Sequence, residues 1–596
     1  MRILIDFISG KARITTTDHK SIGWETIKRI IKDVSLISEV SSSIFDVEWH
    51  IFLVIKNELW NLCKIYNIEM EISDDARTQL TIAISSSYNK VKNNHPIEEN
   101  VLLLRLKEVG FKRELTREQK RNVCKMIAFP ACATFSVPGA GKTTEALAYF
   151  LYLAHEDDKL LIVAPKNAFP AWDEQLKECI ETKELVYRLT GGSNNIKHIL
   201  KTSPKISIIT YQQFARVTEL LKDYLVKNSI FMFLDESHRI KGGSGKATVD
   251  PILQVSYLPK RKLILSGTPM PQSDNDLDPQ LNFLYPEINL QNNSSINLIQ
   301  PIYVRTTKAE LGLKYPIRKK IQVSLTSEQQ TFYQLLKSET VRQVKGISRF
   351  NRANLRRIGR SIIKLMQFVS NPALLAQDVT GIFSKELSNV LTEGKSIKVD
   401  YACERARQLA KQGEKSIIWT SFVNNVELIS NRLEDIGADF IHGGVDAGND
   451  SESDTREGKI KRFHDDSNAM VLVANPAAAS EGISLHKVCH TAIYVDRSFN
   501  AAHYLQSEDR IHRLGLLPGV STNIEIIECK NTIDKLVDER LTNKINRMAA
   551  VFNDESLSIN KDDYIYEEDN DVLNIVGLDE GDALAIIDYL KGDNND

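Results

Sequence analysis

The stretch FSVPGAGKTTEAL, residues 135–147, constrains this chain more than any other. It follows the apolar run ACATF and opens a segment of helical pattern, so it reads as strand, glycine loop and helix in that order. Backbone N–H groups around Gly139 and Gly141 can wrap a phosphate, and the helix N-terminus adds its partial positive charge. Lys142 is expected at the outer phosphates and the Thr143 hydroxyl on magnesium. The nucleotide-binding candidates of the loop are therefore Pro138, Gly139, Ala140, Gly141, Lys142, Thr143 and Thr144, with ATP and Mg2+ as the ligands. The usual pattern has a glycine five residues before Gly141, where this chain has Ser136. A glycine turn that binds nothing would need neither the strand nor the G-K-T core.

A second stretch complements the first. IFMFLDESHRI (230–240) is an apolar strand ending in Asp235 and Glu236. Asp235 is expected to hold the magnesium through water, and Glu236 to orient and deprotonate an attacking water. Short apolar runs of similar kind recur as KLLIVAP, ISIITY and RKLILSG, and a second series follows from about 396: KSIIWTSF, ADFIHGG, AMVLVANP, HTAIYVD and NIEIIECK. Runs of that length and composition suit a parallel sheet covered on both faces. At 596 residues the chain is too long for one core. The fold class expected is α/β, with two parallel-sheet lobes, a helical insertion between them, a small N-terminal domain and an acidic C-terminal tail. The boundaries expected are 1–95, 96–316, 317–395, 396–550 and 551–596, with a helix near 46–66 and a linker over 85–96.

Seven cysteines lie far apart without metal or disulfide spacing, which points to a reducing compartment. The apolar run WHIFLVIKNELW (49–60) is broken by Lys56 and Glu58 and is too short to span a bilayer, and no export leader is visible. A cytoplasmic protein without a membrane partner is expected. His238, His442, His486, His490, His503 and His512 show no metal spacing and read as structural or coupling residues.

The Asp-Glu-Ser-His box resembles that of the superfamily 2 helicase-like ATPases, the Swi/Snf-type branch in particular. LTREQKRNV (115–123) is similar to the family's adenine-reading segment and puts Gln119 in its glutamine position. IVAPKNAFPAWDEQL, ILSGTPMPQSDNDL, YVRTTKAELGLKYP, LMQFVSNPALL, VANPAAASEGISLHKV and QSEDRIHRLG resemble later family segments, in order, over roughly 105–545. Pro271–Gln272, Ser484 and Leu516 depart from the family's frequent choices. The resemblance implies that the two parallel-sheet lobes are RecA-like and that the chain is a duplex DNA translocase, and it adds Gly482 to the nucleotide contacts. It also implies that Arg510 and Arg513, spaced like neighbours on one helical face, meet the phosphates from the second lobe. A supplied arginine is worth roughly 10³–10⁵ in rate, and its place on a second lobe makes hydrolysis conditional on closure. The motor's style is similar to that of bacterial or mobile-element remodelling and defence systems.

The net charge of −2 conceals an asymmetry. Residues 551–596 hold fourteen acids and two lysines, or −12, so the rest of the chain carries +10. RQVKGISRFNRANLRRIGRSIIK (342–364) has eight Arg or Lys and no acid. A solvated basic surface would look the same; joined to the family resemblance, the run makes Arg349, Arg352, Arg356, Arg357 and Arg360 candidates for DNA contact through the backbone. The partner expected is double-stranded DNA, with a protein partner through 1–95 or the tail as a further expectation. Alternatives are a strand-separating helicase, the motor of a restriction-like complex, and an ATP-switched clamp or scaffold. In the tail, 579–592 is expected to form an amphipathic helix with Leu584, Ile587 and Leu590 on one face, suited to covering a basic groove.

Overall fold

The computed structural model describes residues 1–34, 38–180, 186–240, 249–290, 293–344, 352–376, 384–445, 453–476, 484–516, 519–557 and 580–592. The chain divides into two compact units, one of residues 1–269 and 274–306, the other of residues 270–273 and 307–596. Among the described residues, no helix is long and apolar enough to cross a membrane.

The first unit contains two sheets. Strands β1 (Arg2–Ile8), β2 (Lys11–Thr16), β3 (Ser38–Ser41), β4 (Ile44–Glu48) and β5 (Glu69–Ile72) form a mixed sheet in the order β3-β4-β2-β1-β5. Alternate residues of β2 and β4 are buried, and these join the helix Trp49–Ile65 in a core around Trp24, Phe45 and Trp49. The hairpin between β1 and β2 turns at Gly10, whose φ is +80°. A side chain there would run into Lys222 and Tyr257. The expected linker over 85–96 is instead packed down: Tyr88 stacks edge-on against Tyr285 at 5.4 Å, and its N–H donates to Glu287 at 2.8 Å.

The second sheet of this unit is built from β6 (Ala131–Thr134), β7 (Lys159–Val163), β8 (Val186–Arg188), β9 (Ile206–Ile209), β10 (Ile230–Asp235), β11 (Arg261–Leu265) and β12 (Tyr303–Val304). All pairings are parallel, in the order β12-β6-β11-β10-β7-β9-β8. Four-residue runs such as ISII are buried throughout because helices cover both faces. Parallel strands bring their C-terminal ends to one edge, where ligands of such sheets gather. The phosphate loop after β6 and the Asp-Glu pair after β10 thus share that edge, with the end of β11 between them.

In the second unit, β13 (Ile317–Val323), β14 (Lys415–Trp419), β15 (Asp439–Ile441), β16 (Val471–Ala474), β17 (Cys489–Tyr494) and β18 (Asn523–Cys529) form another all-parallel sheet, in the order β13-β18-β17-β14-β16-β15. Every run of the two series read from the sequence is a strand. Residues 317–323, expected to open the helical region, are instead the edge strand β13. The helices Ser327–Val344, Arg352–Ser370 and Ser384–Glu393 follow it. A buried carboxylate ties the middle one to the sheet: Asp496 accepts from Ser370 Oγ at 2.5 Å, Thr420 Oγ1 at 2.6 Å and Ser421 N at 2.6 Å.

The expected tail helix exists as Glu580–Gly592, but the face it buries differs. Ile586, Ile587 and Leu590 are buried while Leu584 is 51% exposed. It packs on this unit's own helices: Asp582, fully buried, accepts from Arg540 at 2.6 Å and Lys544 at 2.5 Å, and Lys337 lies 4.1 Å over the Tyr589 ring. The basic residues it meets among those described are Arg540, Lys544 and Lys337; residues 558–579 of the tail lie outside the described residues.

Candidate nucleotide site and the arginine segment

Gly139 and Gly141 adopt φ of +87° and +85°, the left-handed region that lets successive amides turn inward as an anion cradle. A Cβ on Gly141 would collide with the Gln119 amide, and one on Gly267 would lie 2.9 Å from the Pro138 ring. Both glycines are therefore required by close approach. The helix Lys142–Leu153 starts at the end of the loop, as its N-terminal role demands. Lys142 Nζ lies back over the loop and donates to Ser136 O at 2.9 Å.

Gln119 faces the loop. Its Oε1 accepts from Thr116 N at 3.0 Å, closing a capping box, and its Nε2 donates to Ala140 O at 3.0 Å. Thr144 is buried, and its hydroxyl donates to Gln175 at 2.7 Å. Of the candidate Thr144 only the backbone amide is thus left for a nucleotide.

Asp235 is held from three sides. Trp172 Nε1 donates to Oδ2 at 2.8 Å, the Glu236 amide donates to Oδ1 at 3.0 Å, and Tyr211 Oη donates to its carbonyl at 2.7 Å. Glu236 has a φ of +50°, a conformation a non-glycine residue holds only where its surroundings fix it. His238 Nδ1 lies 3.4 Å from Glu236 Oε2 and 3.1 Å from Ser266 Oγ. Ser237 donates to Gln280, which in turn donates to Pro269 O at 2.8 Å. The box after β10 is thereby bonded to the segment after β11, so His238 is a linking residue.

A buried polar layer lies under the loop, and no sequence motif announces it. Glu145 accepts from Asn122 Nδ2 at 2.7 Å and Thr134 Oγ1 at 2.8 Å, and Asn122 reaches Thr306 Oγ1 at 2.9 Å. Burial pushes the Glu145 carboxyl up to about 7, against those hydrogen bonds and the nearby cations Lys142 and Arg121. Ser136 belongs to the same layer: its Oγ accepts from Thr306 N at 3.0 Å. A glycine at 136 would leave that amide without this partner.

In the second unit the helix carrying QSEDRIHRLG ends at Glu508, so Arg510 and Arg513 lie in the turns beyond it. They do not share a helical face. Backbone bonds of helical type run on as far as His512, whose N donates to Glu508 O at 3.0 Å, and tertiary partners hold the segment from there: Leu485 N donates to Arg510 O at 2.8 Å, and His512 Nε2 donates to Lys314 O at 2.7 Å. Glu508 and Asp509 are buried. Arg318 donates to both oxygens of Glu508 at 2.8 Å, and Lys308 lies 2.6 Å from Asp509 Oδ1. Despite burial, Arg318 and Lys308 hold the Glu508 carboxyl down at about 2. Arg510 Nε donates to Gln506 O at 3.1 Å.

Of the DNA candidates, Arg357 and Arg360 are exposed on the helix Arg352–Ser370, whose Ile358, Ile362, Leu365 and Val369 are buried. Arg352 and Arg356 lie on the same helix; Arg349, like Gly482 of the nucleotide candidates, falls outside the described residues.

Two family models match the chain: the SNF2-related domain over residues 130–296 and the helicase conserved C-terminal domain over residues 398–515. The chain is 25% identical to the ISWI chromatin-remodeling complex ATPase ISW2 of Saccharomyces cerevisiae, over 68% of this chain and 38% of that protein. It is 24% identical to the putative ATP-dependent helicase/translocase YwqA of Bacillus subtilis, over 70% of this chain and 46% of that protein. It thus spans less than half the length of these curated relatives. Among solved structures, the Sulfolobus solfataricus SWI2/SNF2 ATPase core in complex with dsDNA matches 74% of this chain and 93% of its own, at 20% identity and a TM-score of 0.32.

Proposed function

We propose, from the premise that this chain belongs to the Swi/Snf-type branch of the superfamily 2 helicase-like ATPases, that it hydrolyses ATP to move along double-stranded DNA. The observation that carries the proposal is the shared sheet edge: a glycine cradle with Lys142 after β6, and a held Asp235 with Glu236 after β10. Its donor set fits a hard cation, since Thr143 and Asp235 offer a hydroxyl and a carboxylate oxygen. Magnesium, when bound there, would neutralise charge on the outer phosphates.

The chain's own residues do the rest. The loop amides and Lys142 bind the phosphates, Gln119 and Gly482 contact the nucleotide, and Trp172 keeps Asp235 aimed. Glu236 takes the proton of the attacking water, with His238 beside it. Arg510 and Arg513 of the second unit reach the phosphates and stabilise charge on the transferred group. Because they sit on the other unit, each turnover is a closing and opening, and that cycle drives movement along the duplex. Phosphate contact through Arg349, Arg352, Arg356, Arg357 and Arg360 is the DNA-facing part of this proposal, supported by the exposure of Arg357 and Arg360. The long helical insertion, which lies between β13 and β14 in the chain, favours duplex translocation over strand separation. We further propose a bacterial or mobile-element remodelling or defence system, in the cytoplasm, as the setting of the motor.

Paired variants test the chemistry. Glu236→Gln should keep ATP binding and lose turnover by about 10²–10⁴-fold, the worth of a positioned base. Lys142→Ala should weaken binding itself. Near-normal hydrolysis by Glu236→Gln would remove Glu236 from the role of base.

A further inference from the structure

After the short excursion of residues 270–273, the chain makes its last passage from the first unit to the second inside Tyr303–Arg318, the division falling between Thr306 and Thr307. On the first-unit side this segment is bonded to the phosphate loop. Phe135 N donates to Val304 O at 2.8 Å and Val137 N to Thr306 O at 3.0 Å. Thr306 N donates to Ser136 Oγ at 3.0 Å, Asn122 Nδ2 to Thr306 Oγ1 at 2.9 Å, and Arg305 to Phe135 O. Val304, Arg305 and Thr306 are all buried. Any shift of residues 135–137 must move them too.

On the second-unit side the same segment holds the arginines' neighbours. Lys308 pairs with Asp509 at 2.6 Å and lies 3.5 Å from Glu508, while Arg318 binds both Glu508 oxygens. Lys314 O takes His512 Nε2 at 2.7 Å. Lys308, which is buried, and Arg318, whose side chain is 8% exposed, thus neutralise the two buried acids that immediately precede Arg510. Neither side of this balance can leave without stranding a charge away from water, so the arginine segment follows the connector. Only Thr307 separates a residue bonded to the phosphate loop from the lysine paired beside Arg510.

We propose that Tyr303–Arg318 is a strut that transmits the state of the phosphate loop to Arg510 and Arg513, with Thr306 and Lys308 as the positioning residues at its two ends. Ser136 is the loop's grip on the strut, which gives the departure from glycine at that position a purpose. The proposal rests on the ATP-hydrolysing function above and adds how the two halves of that machinery are kept in step.

Inserting Gly-Gly between Thr306 and Thr307 tests it, because the residues that make the contacts on either side are kept and only the direct link between them is lengthened. The readout is amide hydrogen exchange with and without a non-hydrolysable ATP analogue, in peptides covering 139–144 and 508–512. In the unmodified chain the analogue should protect both. In the insertion variant, protection at 139–144 should remain, protection at 508–512 should vanish, and turnover should fall by about 10²-fold, the cost of slight misplacement. Protection at 508–512 that survives the insertion would overturn the strut alone. No protection at 139–144 in the unmodified chain would overturn the ATP-binding proposal, and the strut with it. A second arm uses Lys308→Gln and Lys308→Arg: Gln should lower turnover at unchanged analogue affinity and Arg should restore it. Equal turnover in all three would overturn the assignment of Lys308.

Discussion

Glu145 illustrates what a single residue can hide. In the sequence it is one acid in the first turn of a helix, where a carboxylate is commonplace. Its burial depends on Asn122 and Thr134, from other elements, so no local pattern announces it. Its consequence is measurable. The folded carboxyl titrates at about 7 against an ordinary 4.5, so folding binds the proton more tightly. The stability this gives is complete below the ordinary value and is lost as pH rises through about 7, some 3 kcal/mol in all. Glu145→Gln should therefore gain on the unmodified chain as pH rises, and its denaturant midpoint should vary less with pH. Parallel profiles for the two proteins would contradict the buried-acid account. Arg510 and Arg513 show the opposite limit: their spacing suggested a helical face, and tertiary partners decided otherwise. Alanine at either should cut turnover by roughly 10³–10⁵ with little change in nucleotide affinity, as expected of a supplied arginine. Lysine should not rescue Arg513, lacking the planar fork. Near-normal turnover in both alanine variants would return the segment to a structural role.

Elements were legible where burial was uniform. Continuous apolar runs gave ten strands because strands covered on both faces leave no polar position. The strand β13, IRKKIQV, escaped notice because an edge strand exposes charged residues that a buried one cannot carry. The strands β8 and β12, of three and two residues, are too short to show a period. On the basic helix, the buried Ile358 and Ile362 and the outward Arg357 and Arg360 follow helical spacing. Changing both arginines to Gln should reduce the log–log salt slope of duplex binding by about 2, at about 0.9 per phosphate contact. An unchanged slope would place the DNA elsewhere. The C-terminal helix behaves as a packed part of its unit. Asp582→Ala would remove the buried carboxylate that Arg540 and Lys544 share and should destabilise that unit by about 3 kcal/mol, read from its unfolding midpoint. A variant as stable as the parent would mean that the helix is not held there.

At the scale of the whole molecule, the order of motifs along one chain carried most of the functional information. The phosphate loop, the Asp-Glu box and the QSEDRIHRLG segment each needed a separate strand end or turn, and each has one. What the order could not show was the buried wiring: Ser136 to Thr306, Lys308 to Asp509, Asp496 to Ser370. Such links pair residues far apart in sequence, through side chains that local periodicity treats as surface. The central claim is that hydrolysis on the first unit is driven by duplex DNA. ATP turnover measured at one fixed salt concentration without DNA, with single-stranded DNA and with duplex DNA tests it most directly. The account predicts a low rate alone, a clear rise with duplex and a smaller one with single strands, and no rise in Glu236→Gln; a rate indifferent to DNA, or one raised only by single strands, would contradict it.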